Sequence, residues 1–193
     1  MSETNNAQNV STGKPKVTGS IHRAPLNTAL PTDATTALSS AFVCLGYVSE
    51  DGLENENSLD FNEIKAWGGV IVYRTLTEMQ DNFMFKLIES LNPEVLKAVY
   101  GSSNVIVTGG GGSIAPMGGA TVSVNVKSEN PEEGVWVFEL ALRGGVKKRI
   151  VIPDGAITSR ETISYTDADA IAYGVTVSAY PDSDGNTHKE YMA

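Results

Sequence analysis

Few residues in this chain have the types and spacing that chemistry needs. The two histidines, His22 and His188, sit near opposite ends in polar surroundings. Such a pair can act as acid and base or ligate a metal only if folding brings it together. Edge-strand or solvated histidines account for both more simply. Glu132 and Glu133 flank a turn and read as solvated carboxylates. The run DSDGN at 182–186 has the acidic-glycine look of a calcium loop, but its glycine comes fourth. The calcium pattern needs glycine sixth and a bidentate glutamate twelfth, so a tight turn is expected instead. The glycines at 109–112 suggest a phosphate cradle, yet no Lys-Ser/Thr pair and no helix follow, which leaves a hairpin tip. No Ser or Cys stands in a nucleophile motif, and no cofactor or metal ligand set is expected.

The charge balance excludes more. A net charge of −9 and a pI near 4.7 argue against nucleic-acid binding, which needs clustered Lys and Arg. The one basic cluster, Lys147-Lys148-Arg149 beside Arg143, therefore reads as a partner for acidic segments of a neighbouring copy. Those segments are concentrated at 50–69. Glu50, Asp51, Glu54, Glu56, Asp60 and Glu63 face a single Lys65, and Ile64 and Trp67 are the apolar anchors. The expectation is a long functional loop, bent back by Trp67-Gly68-Gly69. Cys44 is the lone cysteine and reads as a buried thiol between Val43 and Leu45. No apolar run reaches the roughly 20 residues of a membrane span. The first residues lack a charged-then-apolar signal pattern, so a soluble, intracellularly assembled protein is expected.

The elements that must carry these residues are mostly strands. Residues 16–23 alternate, 41–48 (AFVCLGYV) make a second strand, 70–76 a third, and 82–89 a fourth that is apolar enough for burial on both faces. Asn92-Pro93-Glu94 then opens a helix: Asn92 can cap a first-turn amide, Pro93 has the helical φ, and Glu94 suits the positive end of the dipole. Leu91, Val95, Leu96, Val99 and Tyr100 form its apolar stripe and Gly101 stops it. So short a helix has to dock on a sheet. Further strands are expected at 104–108, 120–126, 135–142, 148–152, 162–165 and 168–180, with turns at 143–145, 153–155 and 181–186. This predicts a mainly β chain with one flanking α-helix, an antiparallel sandwich or barrel, spanning 14–186 between polar arms at 1–13 and 187–193.

Several of these pieces together resemble one family. They are Ala24-Pro25, LPTDATTA at 30–37, LGYVSEDG at 45–52, IKAWG at 64–68, FKLIE at 85–89 and LKAVYG at 96–101. RGG at 143–145, RIVIPDG at 149–155 and PDSDGN at 181–186 continue the match, while 109–119 departs from it. The chain resembles the major tail protein, or tail tube protein, of long-tailed, non-contractile phages and prophages of Gram-positive bacteria. The resemblance implies an antiparallel β-sandwich or half-barrel of the tail tube type. It implies hexameric rings stacked into a hollow virion tube, with long loops and arms joining the rings. Implied partners are further copies of the chain, a tape measure protein, and tail terminator and distal tail proteins. DNA would pass through the lumen without specific binding, no membrane is involved, and assembly occurs in the bacterial host cytoplasm. A negative lumen would repel DNA phosphates, so some acidic residues are expected to line it. A virion decoration or receptor-binding module on a similar sandwich is the alternative. Glu50, Asp51, Glu54, Glu56, Asp60, Glu63, Trp67, Lys147, Lys148 and Arg149 are the candidates for contacts between subunits.

Overall fold

Eleven strands and one α-helix account for the chain in a computed structural model that describes residues 5–16, 19–109, 114 and 119–193. The strands are β1 (Lys14–Pro15), β2 (Ile21–Pro25), β3 (Val43–Cys44), β4 (Val48–Lys65), β5 (Ile71–Leu87), β6 (Val105–Thr108), β7 (Thr121–Val124), β8 (Gly134–Ala141), β9 (Lys147–Arg160), β10 (Tyr173–Tyr180) and β11 (Lys189–Met192). The helix α1 (Pro93–Tyr100) lies between β5 and β6. Nine strands form one antiparallel sheet with the path β3-β2-β8-β9-β10-β5-β4; β1 adds to β8 and β11 to β9, while β6 and β7 form a separate pair. The sheet does not close on itself, and the architecture is a β-sandwich.

One strand makes the two layers possible. β9 pairs along its first half with β8 and β11 and along its second half with β10. It bends between them at Pro153-Asp154, where the β8 register slips from Trp136–Ile152 to Gly134–Gly155. Proline is tolerated in a sheet at such a bulge because it has no N–H to give the ladder. The 153–155 turn expected from the sequence is therefore a kink within a strand. Trp136 Nε1 donates to the Gly155 carbonyl (3.0 Å), and a Cβ at Gly155 would stand 3.1 Å from atoms of Ile152, Trp136 and Val177. That close approach is what the glycine permits.

The bend turns two halves of the sheet toward a common core. Phe83, Phe85 and Val177 meet Trp136, Phe138 and Ile152 there, with Phe83–Phe138 and Phe85–Phe138 ring centroids 5.4 and 5.6 Å apart. The outer face of β8 and β9 buries Val135, Val137 and Val151, beside Ala24 of β2, under Phe42 and Leu38. So β8, expected to alternate, is buried on both faces, whereas β5, expected to be buried on both, alternates from Asp81 to Leu87. The helix forms as its residues dictate: Asn92 Oδ1 accepts from Glu94 N (3.0 Å), and Gly101, at φ 94°, donates to Lys97 O. It buries Val95, Leu96, Ala98 and Val99 on the core.

Other expectations shift. Residues 41–48 supply only the two-residue β3 before β4 begins, and Cys44 is half-buried, not enclosed. Residues 162–165 and 168–172 carry no strand. Residues 110–113 and 115–118 of the glycine-rich segment lie outside the described residues. The 187–193 segment, expected as an arm, carries β11 in register with β9.

Candidate assembly interface

The stretch expected as a loop at 50–69 is strand and turn. It belongs to a hairpin in which β4 and β5 pair from Leu53–Phe85 out to Lys65–Ile71. The tip is made as its sequence dictates. Gly68 and Gly69 adopt φ of 101° and 87°, conformations that residues with a Cβ rarely take, and Ala66 and Val70 close the turn by Ala66 N–Val70 O (2.8 Å). Trp67 stands wholly exposed at the end. From Ile71 to Gln80 every β5 residue is exposed, so this part of the hairpin projects from the body.

Its two faces differ. Cross-strand partners share a face of the sheet. On the core side, Leu59 pairs with Met79 and Phe61 with Leu76, and each of the four is between 46 and 49% exposed. Arg74 lies over the Phe61 ring at 5.4 Å and binds Glu63 at 2.7 Å, closing the patch toward the tip. On the other side are Glu54, Glu56, Asp60 and Glu78, the last opposite Asp60, and nearer the tip the exposed Ile64–Tyr73 pair. Two bulges, at Thr77 and at Val72, twist the ribbon without mixing these faces. An apolar patch of this kind on a projecting ribbon is a candidate surface for a partner to cover. The outer edge of β4, at the end of the sheet path, has no strand beside it among the described residues, which leaves a row of backbone donors and acceptors.

The acidic face continues onto the body as a polar one. Asn82 on β5, Ser178 on β10 and Thr158 on β9 form a ladder: Thr158 Oγ1 and Ser178 Oγ are 2.7 Å apart, and Ser178 Oγ donates to Asn82 Oδ1 at 2.7 Å. Ser159 and Thr176 are cross-strand partners on the same face. Small hydroxyl and amide side chains cover the sheet here, where a packed layer would need apolar ones.

The family model described as phage tail tube protein matches residues 3–192. The chain belongs to the phage tail tube protein family. Nothing among curated proteins matches it. Membership makes it a structural protein of the virion tail whose copies assemble into a tube.

In this tail tube subunit the expected contact residues divide. Glu50, Glu54, Glu56, Asp60, Glu63 and Trp67 lie along the hairpin, with Glu63 on the apolar face against Arg74. Asp51, in the bulge opposite Lys86, pairs with that lysine at 3.3 Å. The basic cluster breaks up. Arg149 is 2% exposed and binds Glu139, the Asp33 carbonyl (2.7 Å) and the Thr36 carbonyl (2.9 Å), so it faces inward and drops out as a contact. Lys148 binds Glu190 at 2.7 Å within the same subunit, leaving Lys147 exposed. Burial raises the Glu139 carboxyl, but hydrogen bonds from Lys16 and Arg149 outweigh it and hold it below its ordinary value. Glu132 is not simply solvated either: it accepts from Ser102 N (2.7 Å) and Oγ and faces Arg23 at 3.6 Å. The 182–186 run is the tight turn expected, with Asp182 accepting from Asp184 N and Asn186 N and pairing with Lys189 at 2.9 Å.

Sequence reasoning missed one residue at the base of the hairpin. Asp81, at the root of the hairpin, is 2% exposed and accepts from Asn55 Nδ2 (2.8 Å), Thr187 Oγ1 (2.7 Å) and His188. Its only signal was an aspartate in the same alternation as Phe83, Phe85 and Leu87. His188 is thus engaged with a carboxylate in the subunit, and His22, on β2, has its pKa lowered chiefly by burial.

Proposed function

We propose that this subunit closes into hexameric rings that stack into the tail tube, a conduit for genome ejection, and that it has no catalytic role. The observation that carries this reading is the projecting hairpin, which pairs an apolar face with a free strand edge. A heterologous contact whose rotation closes makes a ring, and joining β4 to a sheet edge of the next copy removes both exposed edges. The apolar face of Leu59, Phe61, Leu76 and Met79 then packs on that copy. Glu50 and Trp67 make contacts within and between rings, with Lys147 donating to acidic side chains of a neighbour. The opposite face, from Glu54, Glu56, Asp60 and Glu78 across to the Thr158–Ser178–Asn82 ladder, lines the bore. Carboxylates there repel phosphates, so duplex DNA passes without adhering. A tape measure protein within the tube, and terminator and distal tail proteins at its ends, complete the partners, and assembly takes place in the bacterial host cytoplasm.

Negative-stain microscopy of concentrated protein tests this beside a variant in which residues 59–79 are replaced by Asn-Gly, a two-residue turn joining the Ser58–Gln80 pair. The full chain is expected to give rings or tubes with six-fold end views, and the variant folded monomers. Tubes from the shortened hairpin, or monomers of the full chain at every concentration, would refute the reading.

A further inference from the structure

A two-stranded ribbon has little stiffness of its own, so the direction in which this hairpin projects has to be set where it leaves the body. That point is Asp81. Outward of it, β5 is exposed at every residue, and inward of it Phe83, Phe85 and Leu87 enter the core. The Asp81 side chain is completely enclosed. A buried carboxylate is costly unless hydrogen bonds surround it, and charge-assisted bonds are strong and directional. Of its three side-chain donors, Asn55 comes from the opposing hairpin strand, while Thr187 and His188 come from the C-terminal segment. The His188 ring also stands edge-on to Phe83, with centroids 5.3 Å apart. Immediately beyond, β11 is held to β9 from Lys189–Val151 to Met192–Lys148. The C-terminal segment thus spans from β9, on which β8 packs, to the root of the hairpin.

We infer that Thr187 and His188 are positioning residues: through Asp81 they latch the hairpin root to the body and hold the arm in the direction that docking on the next copy requires. The consequence for docking rests on the reading of the hairpin as an assembly arm; the latch itself does not. Holding the buried carboxylate from both hairpin strands and from the chain terminus leaves the ribbon no pivot at its base. Without the C-terminal donors, Asp81 keeps only Asn55 of the paired strand β4, which adds no tie to β9 or to the C-terminal segment.

Amide hydrogen exchange on the free, full-length subunit measures this directly. In Thr187→Val/His188→Leu, exchange at residues 53–57 and 81–84 is expected to accelerate by about tenfold or more, with α1 and β8 unchanged. His188→Asn, whose amide can replace the Nδ1 donor, is expected to restore most of the protection to a Thr187-containing chain. Should the double variant fail to fold, Thr187→Val alone is expected to give a smaller acceleration confined to the same residues. Unchanged protection at the root would overturn the latch, and so would a loss shared equally by α1 and β8, which would make the contact general support of the fold. A subunit that behaves as expected here yet never forms tubes leaves the latch standing and removes the assembly reading.

Discussion

Leu59 and Met79 face each other across the hairpin, each nearly half exposed, on the side of the ribbon that continues the core face of the sheet. A pair of that kind contributes little to a free subunit and much to a contact with a second one. Replacing both with glutamate is expected to change subunit stability by no more than about 0.5 kcal/mol, as for other exposed positions. The same change puts charge into the proposed contact and is expected to abolish tube formation. Thermal unfolding and sedimentation of one preparation check both halves; a folded variant that still polymerises would show that the patch is not the contact.

Removing the buried cation has the opposite signature. Arg149→Ala leaves Glu139, itself 5% exposed, with Lys16 as its remaining charged partner and strips the 33–36 loop of the donors to two carbonyls. Breaking one side of a buried pair costs about 3–5 kcal/mol. The subunit is expected to unfold at markedly lower denaturant, and a loss under about 1 kcal/mol would mean that Glu139 is solvated on the Lys16 side.

How much of this was legible follows from which forces shape each element. The helix could be read because its start, stripe and stop are all local, in Asn92, Pro93, Val95, Val99 and Gly101. Of the hairpin, the Trp67-Gly68-Gly69 bend and the strand after it at 70–76 could be read, but the β4 side could not, because it is held by pairing with β5 and not by burial. Glu54, Asn55, Glu56 and Asn57 have poor strand propensity, and only the parity of Leu53, Leu59 and Phe61 hints at a common face. Proline and glycine at 153–155 suggested a turn, and only the cross-strand register with Trp136 shows a kinked strand. Arg149 looked like part of a surface cluster; its partner Glu139 was visible as the one charge inside an apolar strand, but nothing local joined the two. Contacts across more than a hundred residues, such as Thr187 with Asp81, leave no trace in any short window.

Acid should weaken the fold in two stages. Burial chiefly lowers the His22 pKa, so the folded state resists protonation there. That contribution is present above the ordinary histidine value of about 6.5 and is lost as the pH falls below it. At Asp81, Glu132 and Glu139 burial raises the carboxyl, but the hydrogen bonds and nearby cations outweigh it and each is lowered overall. Their stabilisation is present above the usual carboxylate range near about 4 and disappears as the pH drops through the lower folded values. Urea midpoints measured from pH 8 down to 3 are expected to decline gently near pH 6 and steeply below 4. Asp81→Asn is expected to flatten part of the second decline, and an identical profile in that variant would show that Asp81 is not among the linked groups.

The charge on the outward face makes the last prediction. Glu54, Glu56 and Glu78 lie away from the core side, so lysine at these positions leaves the apolar contact untouched and adds six positive charges' worth of change per subunit, two for each reversal. If that face lines the bore, tubes still form but the channel attracts phosphate. Duplex DNA is then expected to be retained by assembled variant tubes at about 50 mM salt and released near 200 mM, since each neutralised phosphate steepens the salt dependence. Native tubes are expected to retain none. Retention that nuclease removes at once would locate the DNA on the outer surface, and the acidic face with it.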